Sequence, residues 1–399
     1  MDHHLQVNSE IGPLRTVLVH RPGAELENIT PATMQELLFD DVPFLKVAQQ
    51  EHDQFTDLLR QHHIEPVYVE HLLTEILNEP NTKTAFIAAY LAQFALAPLP
   101  KQETTTYLEQ LPAPALTNTI YAGLRRATVG LPENYQQPFL LPPLPNAYFT
   151  RDPQATLGTG VTINPMTFAA RKPESMIFSW IVQHHPRFQA TPTWLSPTLP
   201  THLEGGDELV LNRQTLALGI SERTTRTAAL TLAQHLFTNP ASSFTTIIAI
   251  HIPHNHAMMH LDTVFTMVNR EQFTIFPGIM DHDYRLNIEV LHPDGHGGVA
   301  IKRATHLKPV LQASLGLSEI DLIETGGGDA IVAPREQWND GSNNLAIAPG
   351  EVITYDRNYR SIQLMREHGL IVHEIPSSEL ARGRGGARCM SQPLWRDDI

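Results

Sequence analysis

The feature that most limits what this chain can fold into is an internal repeat. The stretches TRDPQATLGTGVTI, GGDELVLNRQTLALGI, LDTVFTMVNREQFTIF and GGDAIVAPREQWNDGSNNLAIAP each open on an aspartate, run through a short strand, turn, and run through a second. Those aspartates are Asp152, Asp207, Asp262 and Asp329, at intervals of 55, 55 and 67 residues. A helical pattern follows, then a further strand. Pro173 starts a helix that places Met176, Ile177, Trp180 and Ile181 on one face. Ser221 is placed to cap a helix carrying Leu230, Ala233 and Phe237, and Gly369 closes a helix over 359–368. TTIIAIHIP, EIDLIET and GLIVHEIP read as return strands.

The unit is therefore strand–strand–helix–strand. The N-terminal segment supplies a fifth copy, with GPLRTVLVHRPG as strand, 43–63 as helix and EPVYVEHLL as return strand. No such unit can bury its sheet alone. Five of them predict an α/β fold, a propeller of five-fold pseudosymmetry whose corresponding strand ends face one central site. Residues 72–145 interrupt the pattern with the helical stretches KTAFIAAYLAQFAL, QETTTYLEQL and ALTNTIYAGL among many prolines. The expected organisation is a catalytic domain from 1–71 and 146–399 with an all-helical insert at 72–145. The insert would cover the site or form a packing or oligomer surface, and a homo-oligomer is expected.

Composition narrows the function classes. Forty-two acidic against 28 basic residues give a formal charge of −14, which disfavours nucleic acid and anionic membranes as partners. The longest apolar stretch, 85–97, is interrupted by Gln93 and falls short of the roughly 20 residues of a membrane span. MDHHLQVNSEIG has neither the basic nor the apolar region of a secretion signal. One cysteine, Cys389, excludes an intrachain disulfide and a thiolate zinc cage, so a reducing cytoplasm is expected.

Chemistry concentrates in few residues. Asp329 reads as a turn-former. Asp152, Glu204, Asp207 and Asp262 would bring carboxylates from different units together, which a cation must offset. A metal is one candidate, since HIPHNHAMMH places His251, His254, His256 and His260 within ten residues, though at no firm ligand spacing. A guanidinium accounts for more: it is planar, and carboxylates can grip it bidentately. Asp152 and Asp262 would hold it flat, exposing its central carbon to a thiolate. Cys389 is the only thiol, and Arg382, Arg384 and Arg388 nearby would favour its ionised form. His260 can protonate departing ammonia and later activate water, with Glu204 orienting it.

The blocks LFDDVPFLKVAQQEHDQF, NAYFTRDPQATLG, HLEGGDELVL, ALGISERT, MMHLDTVFTMV and GRGGARCMSQPLWRDD, in this order, resemble those of bacterial arginine deiminases. The resemblance implies the guanidine-modifying propeller fold and conversion of L-arginine and water to L-citrulline and ammonia, with neither metal nor organic cofactor. It implies Cys389 as nucleophile, His260 as general acid and base, and Asp152, Asp262 and Glu204 as the guanidinium-binding and catalytic carboxylates. It places Arg171 and Arg223 on the substrate carboxylate, Asn146 and Phe149 along the substrate, and Arg384 on a loop at the entrance. The text ARKPES leaves room for Lys172 in place of Arg171, and Glu208 stands where an apolar residue is expected. Relatives of this fold also act on agmatine or methylated arginine, or transfer the amidino group. A ring that only binds arginine or a protein, and a metallohydrolase, are the remaining readings.

Overall fold

A computed structural model describes residues 5–399; the first four residues of the expected 1–71 segment lie outside the described residues. The second to fifth sheets are built from the predicted connection, in which two strands pair antiparallel, a helix follows, and the last strand returns parallel to the second. The second sheet has Gln154–Leu157, Gly160–Ile163, helix Lys172–His184 and Thr193–Leu195. The third has Glu208–Asn212, Thr215–Ile220, helix Arg226–Thr238 and Thr246–His251, extended by the hairpin Asn287–Pro293 and Val299–Ala304. The fourth has Phe265–Met267, Gln272–Ile275, helix Leu307–Leu315 and Asp321–Glu324. The fifth has Leu345–Ala348, Glu351–Tyr355, helix Tyr359–Glu367 and Ile371–Ile375.

The first sheet is assembled from both ends of the chain. Leu14–Val19 lies between Glu65–Tyr68, its parallel partner after helix Leu45–Gln61, and Gln392–Arg396, antiparallel on the other side. The strand that should begin this unit is thus the chain's last. In the second and third sheets the strands GVTI and TLALGI are covered on both faces, which is why they are buried without alternation. Apolar clusters join neighbouring sheets. Leu157, Trp194, Leu218 and Ile247 connect the second and third, and Ile248, Phe265 and Phe273 the third and fourth. Val17, Phe55, Ile353 and Tyr355 connect the first and fifth, in the cluster that also contains Cys389. Each such side chain contributes roughly 1.5–3 kcal/mol by its burial.

Four local expectations are corrected. Asp329 does form a turn, but no strand follows it: its Oδ1 accepts from the N–H groups of Ile331 and Val332, and the chain winds into helix Val332–Trp338. The fifth sheet starts only at Leu345. The cap of helix Arg226–Thr238 is Thr225, accepting from Ala228 N, whereas Ser221 holds the preceding turn. The return strand EPVYVEHLL ends at Tyr68, and Val69–Leu77 is helical because Val69, Leu72, Leu73 and Ile76 share one buried face. The insert 72–145 is not all-helical: after helices Pro80–Leu91, Pro98–Gln110 and Ala113–Ala122, whose first turns hold prolines where no N–H is needed, Leu124–Arg125 and Phe139–Leu141 pair antiparallel as a small two-stranded sheet.

Candidate functional site

One to three positions before the first strand of each sheet stands a buried residue able to hydrogen-bond or ionise. Asp152 precedes Gln154, Asp207 precedes Glu208, Asp262 precedes Phe265, Asn343 precedes Leu345 and Cys389 precedes Gln392. Asn343 was missed because the fourth repeat was aligned on Asp329. Aligning NNLAIAP, the segment with the strand pattern, would have found it.

His260 and Glu204 form one half of the site. His260 Nε2 and Glu204 Oε2 are 2.8 Å apart, and His260 Nδ1 lies 3.8 Å from Asp152 Oδ1. Burial opposes a charge on His260, but Asp152 and the hydrogen bond to Glu204 outweigh it and raise the imidazole from 6.5 to about 9. Glu204 is buried as well, yet Arg223 and His260 hold it well below the usual carboxylate range. Asp207 stands aside from this pair. It accepts from Leu261 N at 2.8 Å and from Ser221 Oγ at 2.7 Å, fixing the turns that carry His260 and Arg223.

Cys389 and Asp262 form the other half. Cys389 Sγ is 3.5 Å from Asp262 Oδ2 and accepts a hydrogen bond from Asn343 Nδ2 at 3.1 Å. Asn343 Oδ1 accepts from Cys389 N at 3.0 Å, so one amide holds both ends of the cysteine. Asp262 Oδ2 also accepts from Arg388 Nη1 at 2.8 Å, and the rest of that guanidinium donates to Glu10 and to Glu208 O. The expectation that three arginines would ionise the thiol is corrected here. Arg382 pairs with Asp41 and Glu379, and Arg384 stacks on Trp338, 3.3 Å from the ring centroid. Burial, with Asp262, Asp152 and Asp340, pushes the Cys389 thiol well up, and only Arg388 counters it. These surroundings favour the neutral thiol over the thiolate.

Asp152 Oδ1, Asp262 Oδ1 and His260 Nδ1 are buried without a hydrogen-bond partner in the protein, as are Nε of Arg223 and Nε of Arg384. Such atoms cost free energy unless a ligand satisfies them. Arg171 is already engaged: Nη1 bonds Asp152 Oδ2 at 2.5 Å, Nε and Nη2 bond Glu174, and Nη2 reaches Phe149 O. Lys172 is exposed. Arg223 bonds Glu204 Oε2 at 3.2 Å and lies over Phe168. Asn146 donates to Leu37 O, and Phe149 is buried against Tyr148. Glu208, the unexpected acid, is buried and accepts from Thr162 and Asn164, and Asn164 in turn donates to Asp152 O. The histidines of 251–260 disperse: His251 faces Glu289, His256 bonds Asp40, and His254 is exposed.

The glycines of EGGD have a steric reason. A Cβ on Gly206 would stand 2.7 Å from His260 Cγ. Gly206→Ala is expected to displace the imidazole and lower turnover about 10²-fold, with a stability loss of about 1–3 kcal/mol. Steady-state kinetics and thermal melting check this, and unchanged turnover would mean that the ring need not hold its place. Gly385 serves the same purpose, since a Cβ there would overlap the Phe149 ring.

The fold is mixed α/β and is similar to that of an amidinotransferase of saxitoxin biosynthesis from Microseira wollei (TM-score 0.61, 13% identity, 99% of this chain and 98% of that one). It also resembles a DDAH from Pseudomonas aeruginosa solved with citrulline (TM-score 0.51, 13% identity, 95% and 99%). At these identities the likeness concerns fold alone. The arginine deiminase family model matches residues 35–396. Over the full length of both chains, the sequence is 54% identical to an arginine deiminase of Lactococcus lactis subsp. cremoris and 51% to one of Pediococcus pentosaceus. The chain belongs to the arginine deiminase family, hydrolases of C–N bonds in linear amidines. No helix among the described residues is long and apolar enough to cross a membrane.

Proposed function

We propose that this protein hydrolyses the guanidinium of free L-arginine to L-citrulline and ammonia through a covalent intermediate on Cys389. The observation that carries this reading is the set of buried, unpartnered acceptors, Asp152 Oδ1 and Asp262 Oδ1, beside His260 and Cys389. A planar cation satisfies both carboxylates and, by neutralising the acids that raise the Cys389 thiol, lets that thiol lose its proton to solvent. The thiolate attacks the central carbon. His260, charged through its contacts with Glu204 and Asp152, gives its proton to the leaving nitrogen, and ammonia departs from the thiouronium. The neutral imidazole then takes a proton from water as the oxygen bonds to that carbon. Collapse breaks the C–S bond, the departing sulfur takes up the remaining hydroxyl proton, and citrulline is left with Cys389 again a thiol.

In this reading Arg223 and Arg171 face the substrate α-carboxylate, Asn146 and Phe149 line the chain, and Arg384 stands at the entrance. The unpartnered Nε of Arg223 supports the first assignment, and the buried position of Arg171 favours it over the exposed Lys172. Arg223, with its unpartnered Nε, offers a cation that only a substrate carboxylate would use, which argues for free arginine over agmatine. We read the five sheets as blades of a pseudosymmetric propeller, with 72–145 as an insert in a catalytic domain of 1–71 and 146–399. Amine release measured side by side, as ammonia from arginine and agmatine and as dimethylamine from dimethylarginine, tests the substrate. Release from agmatine or dimethylarginine but not from arginine would overturn it.

The pH dependence follows from His260. Its folded-state value of about 9 lies above 6.5, so its contribution to stability is complete below about pH 6.5 and is lost as pH rises through about 9. Turnover requires the imidazolium and is expected to fall over the same upper range. A kcat/KM profile compared with that of Glu204→Gln checks this: removing the carboxylate should move the alkaline limb downward, and an unmoved limb would assign it to another group.

A further inference from the structure

Away from the catalytic residues, His62, Glu351 and His373 bring two imidazoles and one carboxylate together, with their ligand atoms all within 4.8 Å of one another. His373 Nε2 is 2.8 Å and His62 Nδ1 3.6 Å from the same oxygen, Glu351 Oε1, and the two rings stand 4.5 Å apart at their centroids. Four ligands at roughly 2.0–2.1 Å around a tetrahedral zinc ion are separated by about 3.4 Å. The two observed separations bracket that value.

The group is positioned by regular structure. His62 is the C-cap of helix Leu45–Gln61, at the end where the backbone carbonyls favour a positive charge. Glu351 and His373 lie on adjacent parallel strands of the fifth sheet, where Ile353 is the direct partner of His373 and Glu351 its diagonal neighbour. All three side chains are about one quarter exposed, which leaves room for water as a fourth ligand. The donors thus come from the helix of the first sheet and two strands of the fifth, elements joined by the apolar cluster that contains Cys389.

We infer that His62, Glu351 and His373 form a binding site for a divalent transition metal of the zinc class, which would staple the first unit to the fifth. Two nitrogen donors and one carboxylate suit zinc, nickel or copper and are a poor match for magnesium or calcium. The reaction proposed above involves no step at this metal. Its expected effect is on stability, by binding the folded state alone.

The experiment uses the full-length protein, stripped with chelator and titrated with zinc chloride by calorimetry, with thermal melting in parallel. One tight equivalent per chain is expected, with a melting temperature raised by about 2 °C or more. His62→Gln and His373→Gln should each weaken that equivalent by roughly tenfold or more and remove the melting shift. Citrulline formation by the stripped variants, unchanged from wild type, confirms that they fold. Cobalt substitution is the second readout: visible bands of four-coordinate cobalt are expected in the wild type and not in either variant. With 21 histidines in the chain, adventitious zinc binding is the competing result. Binding and melting shift retained in both variants, or no tight equivalent in the wild type, would overturn the inference.

Discussion

Cys389→Ser is expected to lower citrulline formation by at least about 10³-fold while arginine still binds. The substitution keeps the shape of a side chain buried in the cluster around Val17, Phe55 and Tyr355, and Asn343 can still donate to the new oxygen. What it removes is ionisation. The acids around Cys389 already push the thiol well up, and an alcohol in the same place will not ionise even when a guanidinium neutralises them. Equilibrium dialysis with labelled arginine and a thermal melt should give values near wild type, so the defect is confined to kcat. Turnover above about a tenth of wild type would eliminate the covalent route. Loss of arginine binding would instead give Cys389 a packing role.

Asp262→Asn is expected to act in two places at once. Asp262 Oδ2 shares Arg388 with Glu10, and neutralising it leaves a fully buried guanidinium with one carboxylate where it had two. Removing one partner of a buried ion pair costs about 3–5 kcal/mol, and the remaining bond to Glu10 sets the expected loss below that range. On the substrate side, Oδ1 no longer offers a charge to a guanidinium, and turnover should fall by about 10²–10³-fold. The two effects are separable through the thiol. Because Asp262 raises the Cys389 thiol, its neutralisation should lower that value and speed alkylation by iodoacetamide at fixed pH, even as catalysis declines. Alkylation no faster than in the wild type would mean that burial alone keeps the thiol protonated.

Much of this arrangement is legible in the sequence. The strand pairs, the helix after Pro173 and the Gly369 stop are local patterns, and Asp152, Glu204, His260, Asp262 and Cys389 stand in short motifs that keep their character in isolation. The errors had local causes too. AIVA after Asp329 resembles a strand, but the backbone N–H groups that Asp329 accepts start a helix there instead. Ser221 and Thr225 are both good caps, and only the position of the helix start selects Thr225.

By itself the sequence determined the repeat, the residue types available for chemistry and the family, because strand, helix and motif signals depend on neighbours a few positions apart. The tertiary structure alone decided the partners. It paired Arg388 with Glu10 across 378 residues, set Asn343 on both ends of Cys389, and closed the first sheet with the last strand. It also turned the thiol's neighbourhood from basic to acidic, because electrostatic influence follows distance in space and degree of burial: Arg382 and Arg384 point elsewhere, and Arg388 alone faces the surrounding acids.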